Sequence, residues 1–143
     1  MAEIRGRYSV ASKTTDVAGR TLNSARTNHW VIDSPSGPHE AVSTGESFMA
    51  GIAACAVSLV EMHTVRNRLP FGTLQVAVDA VRTDESWPEF SNIDVHFTYT
   101  GIDDDQAASY TTLWTENCPL YLAVSKGTTV NVTHEVRVAA GVA

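Results

Sequence analysis

The chain has 143 residues, 43% of them hydrophobic, and a formal net charge of −6. That length fits one domain burying roughly two-thirds of the surface its unfolded form exposes, so residues 1–143 are expected to fold as a single domain without disulfide staples. The ten Lys and Arg form no cluster, which removes the electrostatic footprint of a DNA- or RNA-binding protein.

The first ten residues, MAEIRGRYSV, hold no basic region followed by an apolar stretch. The longest weakly polar run, Phe48 to Val60, is shorter than the ~20 residues of a membrane span. A cytoplasmic protein with no membrane partner is expected. Two cysteines make no disulfide framework; in a reducing compartment they point to core residues or redox chemistry.

Ile4, Tyr8 and Val10 share one parity and predict a first strand within Glu3 to Lys13. Two short β-prone stretches follow, Arg20 to Ala25 and His29 to Ile32, which together make an antiparallel meander. The segment DSPSGPHEAVSTGE is a turn-rich loop, because Pro, Gly and Ser preset or relax the backbone. Ser43 followed by Glu46 fits a capping box opening a helix that runs to about Arg68 and is stopped by Pro70. Phe48, Ile52, Cys55, Leu59 and Met62 recur at 4, 3, 4, 3 along it, and Ala50, Gly51, Ala53, Ala54, Ala56 and Val57 leave the other faces small and uncharged. A helix apolar on nearly all sides is expected to be buried.

Alternating strands are predicted over Leu74 to Arg82 and Ile93 to Thr100, joined by TDESWPEFSN in a loose hairpin. Asp103, Asp104 and Asp105 favour the start of a second helix, Gln106 to Glu116, since negative charge suits a helix N-terminus. Cys118 and Pro119 end it. PLYLAVSKG reads as a short helix with Pro119 in its first turn and Gly127 beyond its end, before a last strand, Thr129 to Val138. The order β-β-β-α-β-β-α-α-β predicts an α+β fold with a mainly antiparallel sheet.

The two thiols differ in local setting. Cys118 precedes a Pro-led helix, whose free N–H groups favour thiolate. Cys55, among alanines in mid-helix, is desolvated and inert unless a cation reaches it. On residues alone it is open whether Cys55 is a core filler or a reactive thiol. His29, His39, His63, His96 and His134 show no metal-ligand spacing with each other or with the cysteines, so no metal and no cofactor are expected. Trp30, Trp87, Tyr110, Trp114 and Tyr121 are candidates for an apolar pocket, although aromatics are more often core.

GESFMAGIAACAVSLVEM, a Pro stop and a strand pair, then NCPLYLAVSKGTTVNVTHEV, resemble the OsmC and organic hydroperoxide resistance (Ohr) family, over roughly residues 30 to 138. Glu46 stands nine positions before Cys55, with Thr44 and Gly45 where the peroxidase branch carries Asn-Pro; this spacing is closer to the OsmC-like branch. The resemblance implies an intertwined homodimer in which a mainly antiparallel sheet wraps a long central helix. It implies thiol-dependent reduction of organic or inorganic hydroperoxides, with Cys55 peroxidatic, Cys118 resolving, Glu46 orienting a cation, and an external dihydrolipoyl-type dithiol as reductant. Arg20 and Arg26 lie in the early hairpin region from which the family's thiolate-stabilising Arg comes, while Val17 stands at the best match to the motif position itself. Two other readings stand beside it, a non-enzymatic binding or stress-associated module and a redox sensor.

Overall fold

A computed structural model describes residue 3 and residues 6–138; Ile4, assigned above to the first strand, lies outside them. The element order is β1 (Ala11–Thr14), β2 (Arg20–Ala25), β3 (Asn28–Asp33), α1 (Thr44–Asn67), β4 (Thr73–Val81), β5 (Asn92–Thr100), α2 (Asp104–Asn117), α3 (Pro119–Val124) and β6 (Val130–Arg137). This is the order expected from the sequence, with most boundaries shifted by one or two residues. The first strand is the exception, since it is confined to the end of its predicted range and residues 6–10 before it are exposed coil. The chain divides into two compact units, Met1–Phe48 and Met49–Ala143.

In the N-terminal unit, β1, β2 and β3 form an antiparallel meander with Leu22 opposite both Lys13 and Val31. Gly19, at a φ of 78°, enters β2 in a conformation that L side chains avoid. Its carbonyl accepts the Ser34 N–H at 2.7 Å, and a Cβ there would meet the Gly37 backbone at 2.6 Å. A close approach of the two loops therefore fixes Arg20 beside the end of β3.

The C-terminal unit holds a second sheet in the order β4-β5-β6, with β4 and β5 antiparallel and β5 and β6 parallel. The parallel pair needs a crossover, which α2 and α3 supply. Ile93, Val95, Phe97 and Tyr99 alternate along β5 and point one way. They pack with Ile52, Ala56 and Val60 of α1 and Ala107, Tyr110 and Trp114 of α2 in one core. Each large apolar side chain so buried contributes about 1.5–3 kcal/mol relative to exposure. Within the core Tyr99 Oη and Thr111 Oγ1 are 3.1 Å apart and the Thr111 hydroxyl donates to Ala107 O at 2.8 Å, whereas the buried Trp114 Nε1 has no hydrogen-bond partner among the described residues. The acidic run predicted a helix start here by charge; Asp103 in addition caps α2 in a full capping box with Gln106.

Two features of α1 depart from expectation. Its buried face is Ile52, Ala56, Val60 and Thr64, not the stripe from Phe48 to Met62, whose two end residues are 43% and 48% exposed. A helix apolar all round carries no periodic signal to select a face, so the side covered by this chain was not readable. The helix also extends past the run Phe48 to Val60. An 18-residue stretch of it averages a hydropathy of 1.6, which by length and composition is enough to cross a membrane.

Candidate functional site

The cysteines meet at the junction of α2 and α3. Cys118 precedes Pro119, which disfavours helical backbone at the residue before it. Cys118 is accordingly extended, at φ −77° and ψ 115°, serving as C-cap of α2 and N-cap of α3. Its N–H donates to Trp114 O at 2.8 Å and its carbonyl accepts the Leu122 N–H at 3.0 Å. The backbone is thus fixed on both sides, and the thiol is fully buried.

Cys55, half-buried on α1, places its Sγ 2.8 Å from Cys118 Sγ. Both are free thiols, and only a short approach separates them from the ~2.05 Å of a disulfide bond. The Tyr121 N–H faces Cys118 Sγ at 3.5 Å. The Cys55 thiol is pushed up to about 12, first by burial and then by Cys118, while the Leu120 backbone N–H works the other way. Within its own unit Cys55 is a protonated thiol beside a partner, not a resting thiolate.

The other residues singled out in the sequence belong to the N-terminal unit. Arg20 is committed to a carboxylate pair. Its Nε lies 2.7 Å and its Nη2 2.9 Å from the two oxygens of Asp33, and Nη2 also reaches Glu40 at 2.9 Å. Asp33 accepts the Glu40 and Ala41 N–H groups as well, at 2.9 and 3.0 Å. The Arg20 guanidinium, followed by those N–H groups, holds the Asp33 carboxyl well below the usual carboxylate range against the opposing effect of burial. Arg26 occupies the turn between β2 and β3 at a φ of 56°; it is exposed and has no ion-pair partner among the described residues.

Glu46 and Ser43 form the capping box expected. The Ser43 N–H donates to Glu46 Oε2 at 2.7 Å and the Glu46 N–H to Ser43 Oγ at 3.2 Å. These bonds, the backbone one first, keep the Glu46 carboxylate below its ordinary value.

Of the aromatic candidates, Trp114 is in the core with the Tyr121 ring tilted against it at 4.8 Å between centroids, and Tyr110 donates to Pro70 O at 2.7 Å. Trp87 is an exposed loop residue under Arg82, whose guanidinium lies 4.6 Å from its ring. None of the five lines a common pocket among the described residues. Reasoning from sequence missed the partners of Arg20, because Asp33 and Glu40 sit in the loop read only as turns. The free N–H groups expected at the start of α3 are those of Leu120 and Tyr121, and the sequence did not show that the Leu120 one reaches Cys55. The signal for both N–H groups was present in Pro119, which sets the first turn of α3 over Cys118.

The fold and the facing thiols define an α+β protein with a dithiol formed between its long helix and the α2–α3 junction. A family model described as OsmC-like protein matches residues 37–133, more than half of the chain, and the chain belongs to that family. No curated protein matches the sequence in a direct comparison. Solved structures share the fold. The OsmC-like protein of Mycoplasma pneumoniae superposes with a TM-score of 0.80 at 12% identity, covering 96% of this chain and 100% of that one. The organic hydroperoxide resistance protein OsmC of Legionella pneumophila gives 0.75 at 16% identity, with 94% and 100% covered. The organic hydroperoxide resistance protein OhrB of Bacillus subtilis gives 0.67 at 16% identity, with 91% and 98% covered.

Proposed function

We propose that this protein is a cytoplasmic, homodimeric thiol peroxidase that reduces organic or inorganic hydroperoxides with Cys55 and Cys118. The observation that carries the reading is the 2.8 Å separation of the two sulfurs in a member of a family whose solved structures include organic hydroperoxide resistance proteins. The Cys55 thiolate attacks the outer peroxide oxygen, the O–O bond breaks, and the alcohol leaves with a proton while Cys55 becomes a sulfenic acid. The Cys118 thiol condenses with it, forming the S–S bond and releasing water. An external dithiol of the dihydrolipoyl type then exchanges with the disulfide, restoring both thiols and becoming oxidised itself.

A thiol pushed up to about 12 needs a cation to react at neutral pH. In this reading a second copy supplies it through Arg20 or Arg26, with Glu46 orienting it through the oxygen the cap leaves free. Arg26 is the less encumbered of the two. The dimer also provides cover for Met62 and Val65, which are 48% and 70% exposed on α1. Steady peroxide consumption with a dithiol, lost in Cys55→Ser and reduced to a single sulfenic-acid-forming turnover in Cys118→Ser, is the expected result. The raised Cys55 value favours one alternative, a redox module whose cysteines form a disulfide without catalysing peroxide loss; full peroxide turnover by the wild type would remove it.

A further inference from the structure

The chain passes from α2 to α3 through one torsion. Cys118 keeps both hydrogen bonds of a helical residue: its N–H donates to Trp114 O at 2.8 Å, and its carbonyl accepts the Leu122 N–H at 3.0 Å. Its φ of −77° is helical as well; only its ψ, at 115°, is not. Helix lies on either side of that torsion, over Asp104–Asn117 and Pro119–Val124. Cys118 is a poor cap to hold such a break, since a sulfur is a weak acceptor and takes the Tyr121 N–H at 3.5 Å. Pro119 holds it instead. Its ring disfavours the helical ψ at the residue before, and it has no N–H with which to continue α2.

The break has two consequences at the sulfurs. In an unbroken helix the N–H groups of Leu120 and Tyr121 would be spent on the carbonyls of Glu116 and Asn117, four residues back. In this chain the Tyr121 N–H faces Cys118 Sγ, and the Leu120 N–H bonds to Cys55 and favours its thiolate. The break also turns α3 onto α1. A Cβ at Gly51, one turn before Cys55, would stand 3.8 Å from Leu120 Cδ1, so the first turn of α3 lies against the helix that carries Cys55. With that turn in place, the fully buried Cys118 sulfur meets the Cys55 sulfur at 2.8 Å. A helical ψ at Cys118 would continue α2 in its own direction and carry Leu120 away from α1.

We propose that Pro119 is the positioning residue of the dithiol, acting through Cys118: it holds the turn that brings the two sulfurs together and leaves the Leu120 and Tyr121 N–H groups for them. The inference rests on the reading of Cys55 and Cys118 as a redox pair, and not on peroxide being the oxidant.

The test replaces Pro119 by Ala and by Gly in the full-length protein and equilibrates each with reduced and oxidised glutathione. One glutathione disulfide takes two electrons and two protons from the pair, so that the Cys55–Cys118 bond forms and two glutathione thiols are released. Ala is the best helix former and Gly among the worst, so Ala lets Cys118 turn helical and Gly does so less. The equilibrium constant for closing the pair is expected to fall by about tenfold or more in Pro119→Ala, because closure depends on the sulfurs being held together. It falls less in Pro119→Gly, and Cys55 alkylation at neutral pH slows in the same order. A residue that merely stabilised α3 would give the opposite order, since Gly weakens a helix more than Ala does. An unchanged constant in Pro119→Ala, or a larger loss in Pro119→Gly, overturns the inference. Pro119→Gly carries the test by itself if Pro119→Ala does not fold, and a wild-type constant there overturns it equally. A wild type that forms no Cys55–Cys118 disulfide at any glutathione ratio rejects the redox pair and the role of Pro119 together. A wild type that closes the pair but consumes no peroxide rejects the peroxidase reading alone.

Discussion

The two units of the chain are held together by different physics. Every buried apolar side chain among the described residues lies in the C-terminal unit, from Ile52 to Cys118, whereas the buried side chains of the N-terminal unit are Asn23 and Asp33. One unit rests on a packed core; the other rests on a polar knot in which Arg20, Glu40 and the backbone converge on one carboxylate. The comparison teaches where the cysteines belong. A thiol pair whose sulfurs must meet within a fraction of an ångström sits in the close-packed unit, where neighbours cannot drift. A sheet of so few residues without an apolar core is short of stabilising burial, and the proposed second copy answers that need.

Trp114→Ala is the harshest challenge to this contrast. Its side chain is completely buried against Phe97, at 5.2 Å, and Tyr121, so truncation is expected to cost about 3–5 kcal/mol. Urea unfolding would measure it. Hydrogen exchange should assign the loss of protection to β4, β5 and α2; a loss spread evenly over β1 to β3 would break the distinction between the units.

Asp33→Asn attacks the other region. It leaves Arg20 without its bidentate partner, and the amides of β2 and β3 are expected to lose protection while those of β5 keep theirs. The sign with pH follows from the depressed Asp33 value. A carboxylate more acidic in the folded state than in the unfolded one contributes stability that is fully present above the ordinary Asp range. That contribution is lost as pH falls through the folded value. Wild type should therefore show acid-weakened protection in β2 and β3 that Asp33→Asn does not. Parallel acid profiles for the two proteins would contradict the role given to the pair.

Ser43→Ala sharpens the comparison with a smaller effect. Removing the hydroxyl that accepts the Glu46 N–H should cost about 1 kcal/mol and fray the first turn of α1. An unchanged melting temperature would show that the cap is redundant.

Much of this was legible in the sequence because local rules and tertiary needs agreed. Ser43 with Glu46 and Pro119 each mark a helix start by satisfying or removing N–H groups, and the acidic run Asp103 to Asp105 marks a third by its charge, with α2 beginning two residues before the predicted Gln106. The pairing of Cys55 with Cys118 was proposed from resemblance; the separation of 63 positions carries no local signal. The side of α1 that faces the sheet was hidden by its uniform apolarity. The engagement of Arg20 was hidden too, since an ion pair spanning 13 positions is set by the meeting of β2 and β3, not by spacing.

The central claim is that Cys55 and Cys118 work as a redox pair toward peroxide. It is tested most directly by adding one equivalent of an organic hydroperoxide to the reduced protein and following peroxide loss together with the intact mass. The account predicts peroxide loss with disappearance of two hydrogens and a Cys55–Cys118 linked peptide, restored by a dihydrolipoyl-type dithiol and absent in Cys55→Ser. Peroxide consumption by Cys55→Ser at the wild-type rate, or a wild type that leaves the peroxide and both thiols intact, would contradict it.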